Sequence, residues 1–196
     1  MAVYIMRHGE TDWNRSGRLQ GQMDIPLNEK GRQQASEMKE RIKESGLSFD
    51  KIYCSPLSRT RETGKLALGS EEGFRLDERL LEYDYGPFDG TFFEDASKEL
   101  MAFLMDPEHV APPEGSETIP HLMDRVTSFL QEIDPGEDIL IITHGVTIRA
   151  LFGAMLGKGG AYWALPLDNC CIYTLKDGEV IECVGPKTKE EVLNTI

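Results

Sequence analysis

Ala2-Val3-Tyr4-Ile5-Met6, running straight into Arg7-His8-Gly9-Glu10-Thr11, is the stretch that decides the fold. Five β-favouring residues without polar alternation predict a strand covered on both faces. The run then ends on a cation and an imidazole. Asp138-Ile139-Leu140-Ile141-Ile142 before Thr143-His144-Gly145 repeats the arrangement. Lys51-Ile52-Tyr53-Cys54 before Ser55-Pro56-Leu57-Ser58-Arg59 gives a third version. Strand ends carrying Arg7, His8, Arg59 and His144 predict a pocket for a doubly charged phosphoryl group.

Helical patterns separate these strands. Asn28 suits an N-cap, Ala35, Met38 and Ile42 recur at helical spacing within Gln33 to Lys43, and Gly46 suits the stop. Leu57 to Leu68 predicts a helix with Arg59 in its first turn. Ser116 is placed as the cap of a helix running to Ile133, with Leu122, Val126, Phe129 and Leu130 on its buried face, broken by Pro135-Gly136. Val146 to Leu156 predicts another. Phe74 to Leu76 is a short strand candidate. Ile172 to Leu175 and Val180 to Val184 bracket Lys176-Asp177-Gly178-Glu179, a hairpin signal. This alternation predicts an α/β fold, a mainly parallel sheet with helices on both faces and ligands at the carboxyl ends of its strands. Residues 1–196 are read as one domain. Within it, 83–118, rich in Gly and Pro with one helical stretch near Glu94 to Met105, is read as a lid-like insertion.

Lys plus Arg number 21 against 34 Asp plus Glu, a net charge of −13. That charge disfavours nucleic acid and anionic membrane surfaces as partners. A small anionic substrate remains compatible, because a local pocket field can oppose the global one. Cys54, Cys170, Cys171 and Cys183 form no CxxC pair and predict reduced, mostly buried thiols. The N-terminal apolar run lacks a basic leader and is too short for a signal sequence, and no stretch reaches membrane-span length. The expectation is a cytoplasmic monomer or homodimer. Asn14-Arg15-Ser16 matches a glycosylation acceptor by accident.

Phosphoryl transfer to an enzyme needs a nucleophile that is neutral near pH 7, and an unprotonated imidazole of His8 qualifies. Backbone around Gly9 is placed to orient its ring. Arg7 and Arg59 each offer paired hydrogen bonds to phosphoryl oxygens and offset their charge. Arg61 is assigned to solvent or a carboxylate. His144 is placed to donate to a phosphoryl oxygen, Gly145 permits close backbone approach, and the helix start offers free N–H groups to an anion. A carboxyl group must protonate the leaving alkoxide and then activate water. Glu82 and Asp84 both qualify. His109 and His121 lack ligand-spaced partners, so no metal is expected. Gly157-Lys158-Gly159-Gly160 lacks P-loop spacing and reads as a helix end.

Arg7 to Asn14, then Gly17-Arg18-Leu19-Gln20-Gly21, Asp24 to Asn28 and Gly31, appear in the order found in the histidine phosphatase superfamily, which the chain resembles over nearly its full length. Ser55 to Thr60, Thr143-His144-Gly145, and Leu80-x-Glu82 followed by Gly86 and Gly90 match the remaining motifs. The resembled branch holds the cofactor-dependent phosphoglycerate mutases. The resemblance implies a three-layer α/β/α sandwich and a phosphorylated His8. It assigns Arg7, Arg59 and His144 to the phosphate pocket, favours Glu82 over Asp84, and adds Asn14, Gln20 and Gly21 as substrate contacts. Mutases carry an arginine-histidine-tyrosine-glycine string after the acid. Here Tyr83-Asp84-Tyr85-Gly86 follows and the chain is short, as in the small phosphatases, including α-ribazole phosphatases and broad-specificity members. The usual glycine-glutamate-serine is Gly115-Ser116-Glu117 here. Asp84 would add negative charge and disfavour a second anionic group on the substrate. The expected activity is metal-independent, cofactor-free hydrolysis of a small phosphomonoester. The alternatives are a phosphoglycerate mutase and a non-catalytic phospholigand- or protein-binding module.

Overall fold

The apolar runs lie side by side in one sheet. A computed structural model describes residues 2–134, 136–157, 163, 165 and 167–185. Its strands are β1 (Val3–Arg7), β2 (Lys51–Cys54), β3 (Phe74–Leu76), β4 (Ile139–Thr143), β5 (Ile172–Lys176) and β6 (Glu179–Val184). They are ordered β3-β2-β4-β1-β5-β6. The run from β3 to β1 is parallel, and β5 and β6 add antiparallel at one edge. The helices are α1 (Asp12–Ser16), α2 (Glu29–Ser45), α3 (Ser58–Leu68), α4 (Lys98–Met105), α5 (Ile119–Glu132) and α6 (Gly145–Leu156).

The continuous apolar strands are explained by two cores. Val3, Ile5, Ile139 and Ile141 pack with Leu122, Val126 and Phe129 of α5 and Ile148, Leu151 and Phe152 of α6. The alternate residues Tyr4, Met6, Leu140 and Ile142 pack with Ala35, Met38 and Ile42 of α2 and Ala67 of α3. Helices on both faces make the three-layer α/β/α arrangement. Every residue of β4 is buried, and each fully buried Ile or Leu contributes roughly 1.5–3 kcal/mol.

Several boundaries differ from expectation. Helix α2 starts at once after Asn28, whose side chain accepts the Gly31 N–H. Helix α1 has five residues, too few to show a period, and rests on a capping box between Thr11 and Asn14. Thr118, not Ser116, caps α5. The Ser116 hydroxyl instead donates to the Tyr85 carbonyl. Glu94 sits in a short 3-10 turn, and α4 begins later, capped by Ser97. Asp177 and Gly178, with φ of 52° and 78°, make the two-residue β5–β6 turn, as a type I′ geometry requires. Gly157 closes α6 in the left-handed conformation. Pro135, residues 158–160 and the last ten residues lie outside the described set.

The segment 83–118 is mostly irregular but packed. Tyr83, Tyr85, Leu100 and Phe103 join the α5–α6 core. Backbone bonds from Leu19 to Thr91, Gly90 to Leu19 and Phe93 to Gly17 tie it to the loop after α1. At its base, a Cβ on Gly86 would stand 2.0 Å from the Gly115 carbonyl oxygen. Cys54, Cys170 and Cys171 are buried free thiols. Among the described residues no helix is long and apolar enough to cross a membrane.

Candidate active site

Parallel register sets Arg7 opposite Thr143 and Cys54 opposite Ile142. The carboxyl ends of β2, β4 and β1 are therefore adjacent, and the motifs following them meet. The His8 N–H donates to the Thr143 carbonyl at 3.1 Å, and the Ser55 N–H to that of Ile142 at 3.0 Å.

The His8 ring is buried, with Nδ1 2.7 Å from the Gly9 carbonyl oxygen. A carbonyl only accepts, so Nδ1 carries the proton and Nε2 the lone pair. Burial first, then the charges of Arg59 and Arg7, hold the imidazole pKa well below its ordinary value. The ring is a neutral base at pH 7. The Gly9 N–H donates to Thr63 Oγ1 at 2.9 Å. A Cβ on Gly9 would stand 2.6 Å from the Gly31 carbonyl oxygen, so this close approach requires glycine.

Arg59 is fully buried. Its Nε donates to His144 Nδ1 at 3.1 Å, Nη1 to the Met23 carbonyl at 2.9 Å and Nη2 to the Gly21 carbonyl at 2.7 Å. Burial lowers its pKa to about 10, which leaves it cationic at neutral pH. His144 Nδ1 thus accepts, so Nε2–H donates to Ser55 Oγ at 2.8 Å. Burial and the neighbouring charge of Arg59 keep His144 neutral too. Arg7 donates from Nη1 to the Leu167 carbonyl, and its buried Nε has no partner among the described residues. Burial lowers the Arg7 pKa, while the charge of Glu82 opposes that shift.

Glu82 is buried at the start of α6. Its Oε1 accepts from the backbone N–H groups of Tyr83 at 2.9 Å and Val146 and Thr147 at 3.1 Å, and from Thr147 Oγ1 at 3.2 Å. Among the described residues its Oε2 accepts only from Val146, at 3.1 Å, and is the oxygen with room for a proton. This corrects one expectation: the N–H groups opening α6 hold the protein's own carboxylate instead of waiting for a ligand. Asp84 is elsewhere. Its Oδ1 accepts the Gly86 N–H at 2.8 Å, and it lines a separate cleft with Glu117 and Arg125. Glu82, not Asp84, acts electrostatically on Arg7 and Arg59.

The remaining expected contacts divide. Gln20 is buried, its Oε1 accepts from Thr11 Oγ1, and its Nε2 has no partner among the described residues. Asn14 Oδ1 accepts the Thr11 N–H at 3.2 Å. Gly21 has its N–H on Asp89 Oδ1 at 2.6 Å and its carbonyl on Arg59; the position anchors Arg59. A Cβ on Gly145 would stand 3.6 Å from both Arg7 Nε and Arg149 Nη1, so Gly145 lies between two guanidinium groups. Arg61 pairs with Glu71, as expected. Among the described residues no group of His, Cys, Asp and Glu is arranged to hold a metal ion.

Three contributors were missed in the sequence. Arg149 is a lone charge in apolar α6, and that isolation was a usable signal. Arg125 donates to the carbonyls of Arg79, Leu81 and Glu82 and pairs with Glu117. Asp89 holds the Gly21 and Met23 N–H groups. Neither Arg125 nor Asp89 is distinguishable from a solvated surface charge by spacing.

The model of the histidine phosphatase superfamily (branch 1) matches residues 3–180. Uncharacterized phosphatase PhoE of Bacillus subtilis is 33% identical over 185 residues, 91% of this chain and 89% of that protein. Probable phosphoglycerate mutase GpmB of Salmonella paratyphi B is 33% identical over 205 residues, 94% and 93% of the two chains. The crystal structure of phosphoglycerate mutase from Thermus thermophilus superposes with a TM-score of 0.78 at 29% identity, covering 95% of this chain and 100% of that one. The chain belongs to the histidine phosphatase superfamily.

Proposed function

We propose that this histidine phosphatase superfamily member hydrolyses a small phosphomonoester through a phosphohistidine at His8, without metal or cofactor. In the first step His8 Nε2 attacks phosphorus, the P–N bond forms and the P–O bond to the leaving group breaks. The proton on Glu82 Oε2 passes to the departing alkoxide. Arg7 and Arg59 stabilise the equatorial oxygens, and His144 joins them once Ser55 yields. In the second step Glu82 takes a proton from water, the water oxygen attacks phosphorus, the P–N bond breaks and inorganic phosphate leaves. The carrying observation is the His8 ring, held neutral with its Nδ1–H on Gly9 so that Nε2 is the nucleophile.

The test is incubation with a labelled phosphomonoester in excess chelator, with His8→Ala as the blank. The expected outcome is phosphate release and an acid-labile phosphoenzyme, both absent from the variant. Ligand protection without turnover or phosphoenzyme would instead identify a binding module. The names of the relatives support a second reading as a mutase. In that case the phosphoryl group passes from His8 to a phosphoglycerate, and interconversion primed by a bisphosphorylated compound outpaces phosphate release.

A further inference from the structure

Beside Glu82 lies a cavity of about 230 Å³, whose walls include Tyr83, Tyr85, Phe103, Ile119, Val146 and Arg149. Arg149 on its wall adjoins the phosphate-site arginine: a Cβ on Gly145 would stand 3.6 Å from both Arg149 Nη1 and Arg7 Nε. Glu82 adjoins both sides. Its carboxylate is held by the N–H groups of Tyr83 and Val146, which line the cavity, and its charge acts on Arg7 and Arg59. A leaving group that takes a proton from Glu82 therefore projects to this side. An apolar cavity of roughly 150 Å³ accommodates benzene, so this one has room for one ring and a small substituent.

Arg149 makes the cavity more than an apolar slot. Its Nη2 donates to the Leu165 carbonyl at 2.7 Å, and its Nε has no partner among the described residues. Its like-charged neighbour is Arg7. Glu82 is the anion acting most strongly on it. In the proposed reaction Glu82 must carry a proton when it meets substrate. At that moment the phosphoryl group is shared by Arg7 and Arg59, and Arg149 loses its counter-charge. A buried cation without one is costly. Asp84, expected to repel a second anion, is turned to the Gly86 N–H instead.

We infer that this cavity is the leaving-group subsite, selecting a ring-sized apolar group that bears an anionic substituent, which pairs with Arg149. The inference rests on the hydrolase reading above.

The experiment compares 3-carboxyphenyl phosphate with its neutral isostere, 3-carbamoylphenyl phosphate. In the wild type the ratio of kcat/KM, charged over neutral, is expected to be at least about tenfold, the size of a charge-assisted hydrogen bond. Arg149→Met brings the ratio close to one, and Arg149→Lys keeps part of it. A wild-type ratio at or below one overturns the inference, as does a ratio that Arg149→Met leaves unchanged. Binding of 3-hydroxybenzoate against 3-hydroxybenzamide to the His8→Ala protein reads the same preference without chemistry. Preferential binding without turnover in the wild type sinks the hydrolase reading and leaves the subsite standing. Equal binding with normal turnover sinks the subsite alone.

Discussion

The strand ends and the segment from Glu82 to Thr118 supply the two halves of the proposed site by opposite means. Arg7, His8 and His144 take their positions from the sheet: register pairs Arg7 with Thr143, and backbone bonds fix the residues that follow. The Glu82 carboxylate rests on the N–H groups opening α6, but its backbone is held by side chains. Arg125 donates to the carbonyls of Leu81 and Glu82 at 2.8 and 3.2 Å, and Gln22 to that of Glu82 at 3.1 Å. The nucleophile's half thus draws on the whole fold, whereas the acid's half depends on a few individual residues. Distant single substitutions should disturb the acid much more than the nucleophile.

Apart from the complete loss expected of His8→Ala, the largest effect belongs to Glu82→Gln. Turnover of an alkyl phosphate should fall by about 10²–10⁴, while Asp84→Asn should stay within about threefold of wild type. Steady-state rates at neutral pH decide it. Equal losses in the two variants would mean that the separation of Glu82 from Asp84 carries no chemistry. Arg125→Met is next. Removing it frees the carbonyls behind Glu82 and leaves the buried Glu117 carboxylate short of its main partner. Stability should fall by about 3 kcal/mol, and turnover by about ten- to hundredfold through misplacement of the acid. Loss of positioning, unlike loss of stability alone, predicts a larger rate deficit for an alkyl phosphate than for 4-nitrophenyl phosphate, whose leaving group needs no proton. The same deficit for both substrates would reduce Arg125 to a structural role.

The two halves also differed in how legible they were. Apolar runs such as Ile139 to Ile142 announce a strand because both of its faces are buried, and the residue after such a run sits at the sheet edge by construction. That made Arg7, His8, Arg59 and His144 readable. The nearest-neighbour chemistry was readable too, as with the Gly9 carbonyl on His8. Ser116 and Thr118 are equally good capping types, and spacing alone does not choose between them. The clamp of Arg125 on Glu82 spans 43 positions and leaves no local pattern. Nor did sequence reveal that the opening N–H groups of α6 were already filled by Glu82, since that depends on how the irregular segment folds back onto the sheet.

The last expected effect leaves turnover aside: stability against pH separates the halves by where each titrates. His8 and His144 have pKa values held well below the ordinary imidazole range, near 6.5 when unfolded. As pH drops below about 6.5, the unfolded chain binds protons that the folded chain refuses. Each ring then lowers the unfolding free energy by up to about 1.4 kcal/mol per pH unit. The exposed His109, raised by Asp106, has the opposite sign. The carboxylates of Asp77, Glu117 and Glu132 around the Arg79 and Arg125 clamps are lowered by their arginines. They contribute stability above their unfolded values near 4 and lose it only at lower pH. Denaturant unfolding between pH 7 and 5 should therefore show a loss driven by the strand-end histidines, with a slope that His8→Asn roughly halves. A flat profile in that window would mean that the two rings are not held neutral by the fold, and it would remove the physical basis for His8 as a ready nucleophile.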